Sequence, residues 1–360
     1  MPDLSTVEVT ESDSQRWNKF VTEASHSSVY HLWEWGDVLH RTYKYARHYV
    51  TVEKQGEILG IFPCLYIKSL IFGKRLISLP FVEYAGPLLR DGTESSAAQL
   101  ALTQLSEHIA ELSRRLKADY VEVRNPLGAV SNLLPSVSFS PLQRHVTFEI
   151  DLTKSEEELL KNMDKKSRNS LRKALRSEMS IKEVNSESLE EYYNLYLDTQ
   201  KRLGSPPHSF AFFQNIYDGF SPPGLLHILL AKCDNTAVAG VIVFGFKERL
   251  YWFGNVTRRK YAHLNPTNLL LWHVIQFGIK NGFKIFDLGQ TRREDEGIYH
   301  FKSGWGGTEI KLEDFVYSSQ RVELPNPAKT RYVFLSKMWS RLPKVVAKRI
   351  GPRIVGGIGL

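Results

Sequence analysis

Cysteine is nearly absent: Cys64 and Cys233 are the only two in 360 residues and lie far apart. No disulfide framework and no CxxC zinc site can be built from them. Uncharged apolar runs are short everywhere, and none approaches the ~18–20 residues that span a bilayer. The Met-Pro-Asp-Leu start has neither the basic stretch nor the apolar core of a signal peptide. A cytoplasmic protein is therefore expected. Eleven histidines occur without an HExxH pattern, and no P-loop or GxGxxG follows a strand pattern, which argues against metal hydrolysis and dinucleotide chemistry. Acid is missing from one region altogether. Residues 326–360 hold eight Lys and Arg and no Asp or Glu, while the other 39 bases are matched by 39 acids. The formal charge of +8 thus belongs to the tail.

On a helix, Leu335, Met338, Trp339, Leu342 and Val345 or Val346 form one stripe, with Arg331, Lys337, Arg341, Lys344 and Lys348 mostly elsewhere and a kink at Pro343. Such a tail either lies on an anionic membrane or docks on the body with a solvated basic face. A second basic run, Lys161–Lys182, carries Lys165, Lys166, Arg168, Arg172, Lys173 and Arg176 against only Asp164 and Glu178. Thr153-x-x-Glu156 reads as its capping box, with Leu159, Leu160, Met163, Leu171 and Leu175 at helical spacing. It is either a solvated helix face or a grip on the phosphates of an anionic substrate or RNA.

Two stretches repeat one pattern. Residues 46–67 alternate as a hairpin around Gln55-Gly56, and residues 225–246 do the same around Asp234-Asn235, with Gly60 and Gly240 at matching places. Each hairpin precedes a strand, a helix (about 95–116; about 267–280) and a short strand (Tyr120–Val123; Lys284–Leu288). A duplicated module follows: 1–148, 149–325 and a basic amphipathic tail, 326–360. The fold class is α/β (α+β), with mixed, mostly antiparallel sheets flanked by helices. This element order is that of the GNAT acyltransferase fold, in which a helix N-terminus receives the pyrophosphate of CoA. The corresponding segment here, Arg258–Asn268, contains no glycine, so a backbone cradle is degraded; Asn265 reads as the cap and Pro266 as the first helical residue.

Several motifs occur in a telling order: Ser27-Ser28-Val-Tyr30-His31-x-Trp33-x-Trp35-Gly36, Pro80-x-x-x-Tyr84-x-Gly86-Pro87, Lys166-Ser-Arg168-Asn169, Gly204-Ser-Pro206-Pro207-His208, Asp287-Leu-Gly289 and Gly297-Ile-Tyr299-x-Phe301-Lys302-x-x-Trp305-Gly306. Over about residues 15–320 the chain resembles the FemAB/FemX aminoacyltransferases, especially the FemAB-like proteins of exopolysaccharide and exosortase systems. The resemblance implies two tandem GNAT-like domains and transfer of an acyl or aminoacyl group, from aminoacyl-tRNA or acyl-CoA, to an amine of a cell-envelope or polysaccharide precursor. No bound cofactor or metal is implied. Lys302 would stabilise the oxyanion. His31, Trp33, Tyr84, Arg168, His208, Asn265, Asp287 and Phe301 would contact substrate. A lysine that classical members carry four residues after the tryptophan matching Trp35 is here Leu39, so the acceptor need not be a nucleotide-linked muropeptide. Two other readings stand beside this one: an acyl-CoA-dependent N-acetyltransferase, and a non-catalytic module binding RNA or anionic surfaces. Tyr299, Phe301 and Trp305 also fit a core strand.

Overall fold

The computed structural model describes residues 4–69, 72–128, 130–134, 138–318, 336 and 338–359. The chain forms two compact units: Met1–Arg144 with Leu312–Asn326 and Arg353–Leu360, and His145–Lys311 with Pro327–Pro352.

The first unit comprises β1 (Leu4–Val9), α1 (Ser14–Glu23), α2 (Trp33–Tyr43), β2 (Ala46–Arg47), β3 (Tyr49–Lys54), β4 (Glu57–Phe62), β5 (Leu65–Ser69), β6 (Gly73–Ile77), β7 (Leu88–Leu89), α3 (Ser95–Leu116), β8 (Tyr120–Val123) and α4 (Val130–Leu133). The β3–β4 hairpin turns at Gln55 and Gly56, both with positive φ (52° and 84°), as a tight two-residue turn requires. β1 and β7 flank it. Helix α3 lays Ala101, Leu102, Leu105, Ile109 and Leu112 on Val50, Val52 and Phe62. A Cβ on Gly60 would stand 2.9 Å from Leu89 Cδ2 and 3.2 Å from Leu105 Cδ1, so the glycine admits the helix. In the same unit β6 pairs in parallel with β8 (Arg75↔Tyr120 to Ile77↔Glu122) and antiparallel with β5, while Phe315–Tyr317 pair with Val121–Val123. The residues 312–325 that the sequence pattern assigned to the second module thus include three that pair with a strand of the first.

The second unit runs from the later part of β9 (Ser140–Asp151), from His145 on, through α5 (Glu156–Asn162), α6 (Lys165–Leu175), β10 (Ser180–Glu183), α7 (Leu189–Leu203), α8 (Phe210–Phe220), β11 (Leu226–Cys233), β12 (Thr236–Phe246), β13 (Arg249–Thr257), α9 (Pro266–Lys280), β14 (Ile285–Asp287) and α10 (Glu296–Ser303) to the first residues of β15 (Thr308–Tyr317), up to Lys311. Its strands follow the order β10-β11-β12-β13-β14-β9, antiparallel except for β13–β14. The β11–β12 hairpin turns at Asp234 and Asn235, both left-handed (47° and 64°). Alternation decides the faces. Ala239, Val241 and Val243 join the core that includes Leu171 and α9 residues Leu270, Leu271, Val274 and Ile275, while Gly240 faces Tyr192 and Phe244 faces Phe220.

Four local expectations change. Ser155 with Glu158, not Thr153 with Glu156, forms the capping box, because Thr153 donates its hydroxyl to Asp151 at 2.6 Å. The basic run is two helices rather than one, broken at Met163–Asp164, where Asp164 caps α6 by accepting from Ser167 N at 2.6 Å; Leu175 is 54% exposed. Asn265 occupies the capping position of α9 in a left-handed conformation (φ 56°) with no side-chain cap bond. Tyr299 and Phe301 lie on helix α10, not on a strand.

Of the tail, Lys329, Arg331, Leu335 and Lys337 lie outside the described residues. Helix α11 (Lys344–Ile358) follows the break at Pro343. In the second unit Ala347 and Gly351 face inward, Gly351 against Pro207, and Lys344 pairs with Asp198. In the first unit residues 356–359 lie against α2, β5 and β6.

Candidate active site

The second unit's site starts where a strand pair ends. Parallel pairing of β13 with β14 stops at Tyr251↔Asp287, yet β13 runs on to Thr257. The chain leaving β14 turns at Gly289 (φ 72°). Asp287, 1% exposed, holds that turn: its carboxylate accepts from Thr147 Oγ1 at 2.6 Å and Gly289 N at 2.8 Å, with Arg249 Nη1 at 3.6 Å. Arg249 also pairs with Glu149 at 2.5 Å, and the acidic groups and Tyr251 around it raise its pKa. Lys302 closes the arrangement. Its Nζ donates to Gly289 O at 2.7 Å and Gln290 O at 2.9 Å, so a cation is fixed at the mouth of the strand pair.

Helix α10 sets that lysine. Tyr299 packs edge-on against Phe148 (5.3 Å), and its hydroxyl donates to Glu309, which Arg293 also holds. These two donors keep Glu309 below the ordinary carboxylate range, while the same bond raises the Tyr299 phenol. Phe301 stands edge-on to buried Trp305 (6.4 Å). The end of the motif seats on the basic helices: Asp164 N donates to Gly304 O at 2.9 Å, and a Cβ on Gly306 (φ 75°) would come 2.5 Å from Asn162 O. Two motifs about 130 residues apart in sequence therefore form one block.

Lys165, Lys166, Asn169, Ser170, Lys173 and Asn265 line an open cleft of about 590 Å³ at the start of α9. The three lysines are exposed. Pro266 has no N–H, and Asn268 and Leu269 N donate back to Asn265 O (3.0 and 3.3 Å), so this helix start has few backbone donors left for an anion. Arg168, from the same helix as the lysines, directs Nη1 to Leu160 O and Lys161 O (3.3 and 3.2 Å), closing the end of α5.

The remaining candidates are held by packing. His208 stacks on Phe212 at 4.1 Å and beside Tyr196, and burial pushes its pKa down to about 3. In the first unit His31 is buried, its Nδ1 taking Ser28 N at 3.0 Å and its Nε2 facing Gly86 O at 3.0 Å. Ser28 Oγ donates to Tyr84 O at 2.9 Å. Trp33 is packed by Trp17 and Tyr49, with the Arg47 guanidinium over its ring at 4.8 Å. Thus Asp287, Phe301 and Lys302 fall in one site of the second unit and Asn265 on its basic cleft. Sequence reading missed Thr147 and Arg249, which reach Asp287 from 140 and 38 residues away, and Glu149, which pairs with Arg249; none carries a local pattern.

Among the described residues no helix is long and apolar enough to cross a membrane, and no three His, Cys, Asp or Glu side chains converge as a metal site. Residues 161–303 match the model of an acetyltransferase (GNAT) domain. A lipid II:glycine glycyltransferase of Staphylococcus haemolyticus (strain JCSC1435) is 25% identical over 251 residues, 65% of this chain and 58% of that protein. The chain thus spans less than two thirds of that relative's length. In fold it is similar to FemX (TM-score 0.68, 16% identity, 87% of this chain and 97% of that one). It is also similar to a tandem GNAT protein from the clavulanic acid biosynthesis pathway (TM-score 0.55, 9% identity, 89% and 100% covered).

Proposed function

From a chain that is FemAB-like and folds as tandem GNAT-type units, we propose an aminoacyltransferase that moves an aminoacyl group from aminoacyl-tRNA to an amine of a lipid-linked cell-envelope precursor. The amine nitrogen attacks the ester carbonyl carbon, and the carbonyl oxygen becomes an oxyanion. The bond to the ribose oxygen then breaks, that oxygen takes up the proton shed by the amine, and an amide remains. Lys302 stabilises the oxyanion from its seat on Gly289 O and Gln290 O. Phe301 offers a ring to a base at the donor end.

The choice of donor rests on one observation. The start of α9 presents Pro266 and two N–H groups already turned back on Asn265 O, while Lys165, Lys166 and Lys173 line the open cleft beside it. Side-chain ammonium groups along an open groove suit successive phosphates of an RNA backbone, whereas a CoA pyrophosphate draws on clustered backbone N–H groups. Single-turnover assays with aminoacyl-tRNA and acyl-CoA donors against a panel of amine acceptors test this. Transfer from tRNA is expected; transfer from acyl-CoA alone would overturn it.

Attachment at a membrane surface is part of the same reading, since the acceptor class is lipid-linked. Helix α11 supports it with Val345, 79% exposed, beside exposed Val346, Arg349 and Ile350 and no acid. Full-length protein should sediment with anionic vesicles at low salt and detach as salt rises. Indifference to anionic vesicles at low salt would remove this part.

A further inference from the structure

In the second unit Lys302 sits at the reaction centre, while Lys165 and Lys166 line the basic cleft. They come from distant segments, yet one hydrogen bond joins those segments. Asp164 N donates to Gly304 O at 2.9 Å, so along this path only Ser303, Gly304 and Asp164 stand between Lys302 and Lys165. Asp164 also caps α6, its Oδ1 accepting from Ser167 N at 2.6 Å. The first turn of α6, which carries both cleft lysines, is thus held by the residue that meets the end of α10.

The approach is close because residue 304 has no side chain. Its φ of −65° suits any residue, so the glycine supplies clearance rather than backbone freedom. A Cβ there would lie 2.4 Å from Ser167 Oγ and 2.7 Å from Asp164 Oδ2. The Ser167 hydroxyl can turn aside. The Asp164 carboxylate cannot do so without giving up Ser167 N. On its other sides α10 is pinned, by Tyr299 on Glu309 and Phe148 and by Lys302 on Gly289 O and Gln290 O. An added methyl would therefore open the cap and shift the lysine-bearing turn, leaving Lys302 in its seat.

We propose that Gly304 is a positioning residue: by seating Asp164 on the end of α10 it fixes the span between the cleft lysines and Lys302, and so selects donors whose phosphates and ester reach both. The inference rests on the aminoacyl-tRNA reading and deepens it. A donor held by its phosphates brings its ester to Lys302 only when that span is right, and a misplacement of about 1 Å costs on the order of 10²-fold in rate. A donor with the same ester and no phosphate needs Lys302 alone, so its transfer is indifferent to the span.

The test uses the full chain and compares single-turnover transfer from two donors, aminoacyl-tRNA and the aminoacyl ester of adenosine, which keeps the ester and the base but has no phosphate. Gly304→Ala should slow transfer from aminoacyl-tRNA on the order of 10- to 100-fold and leave transfer from the adenosine ester unchanged. Adding Asp164→Ser to Gly304→Ala should restore the tRNA reaction, because serine caps a helix as aspartate does with an oxygen one atom nearer the backbone. The double variant also keeps the test valid if Gly304→Ala alone melts the fold. Equal slowing with both donors would overturn the proposal, since general damage does the same. So would unchanged transfer from aminoacyl-tRNA, or slowing that the double variant leaves in place. Wild-type protein inert toward both esters would instead refute the aminoacyl-tRNA reading, and this inference with it.

Discussion

Each unit sets one cation against two successive backbone carbonyls, and the two settings differ in nearly every other respect. Lys302 meets Gly289 O and Gln290 O, 13 and 12 residues away in the chain, beside an open basic cleft. Arg75 meets Gly357 O and Ile358 O, 282 and 283 residues away, with no exposure at all. The same hydrogen-bond pattern thus serves two ends. A half-buried lysine keeps an ammonium near solvent, and in the proposed reaction its field would act on a developing negative charge. A fully buried arginine under the end of a helix meets no reacting group and holds chain.

The sharpest way to break that contrast is Lys302→Ala. Turnover should fall by ~10²–10³ with the fold intact, the usual effect of removing one oxyanion stabiliser. Single-turnover transfer alongside thermal melting reads both; full turnover in a well-folded variant would place Lys302 with Arg75 as a holder of chain.

Asp287→Ala comes next, because it leaves Thr147 Oγ1, Gly289 N and Arg249 without their shared carboxylate. A loss of about 1–3 kcal/mol in chemical denaturation is expected. Transfer should fall with it, since the turn that seats Lys302 loosens. An unaltered denaturation midpoint would mean that β14 alone fixes the turn.

Replacing Lys165, Lys166 and Lys173 together by Gln should weaken tRNA binding and lower the slope of log affinity against log salt by about 2, at ~0.7 per phosphate contact on single strands. The melting temperature should hold, because these side chains are exposed. An unchanged slope would make the cleft a solvated face.

The smallest effect is expected at His208, which belongs to neither cation. Its folded pKa of about 3 lies below the ordinary 6.5, so the unfolded chain takes up a proton first as pH falls. Its contribution is complete above about pH 6.5 and declines toward pH 3. Melting temperatures taken from pH 7 down to pH 4 should therefore drop less steeply in His208→Phe than in wild type. Equal slopes would show that the ring is protonated in the folded state.

Much of the second site was legible because its parts are local. Asp287-Leu-Gly289 sits at the end of a short strand, and Phe301-Lys302 lies one helix further on, so residue order alone brought them near each other. The seat beneath them was not legible. Thr147, Glu149 and Arg249 come from β9 and β13, and nothing in their own sequence neighbourhoods marks Thr147 and Arg249 as partners of Asp287 or Glu149 as the partner of Arg249. His31 and Tyr84 stood out through motifs, yet the structure gives the His31 ring and the Tyr84 carbonyl backbone-fixing contacts with Ser28 and Gly86. A motif records that a residue type is needed, and a buried hydrogen bond is as good a reason as a substrate.

By itself the sequence determined the duplicated hairpin–helix–strand plan, because period-2 and period-3.6 hydrophobic patterns and left-handed turns at Gln55-Gly56 and Asp234-Asn235 are local properties. It also determined that the tail would be basic. Whether the tail's last described residues stay free or are gripped was decided only by the tertiary structure. Three glycines near the end of a basic helix read as flexibility until Tyr43, Ser69 and Ile67 are placed around them and Tyr45, Arg75 and Arg124 above their carbonyls. Backbone carbonyls are present at every residue and leave no trace in composition, so the donors that meet the last carbonyls of this helix become visible only when the chain has folded back upon them.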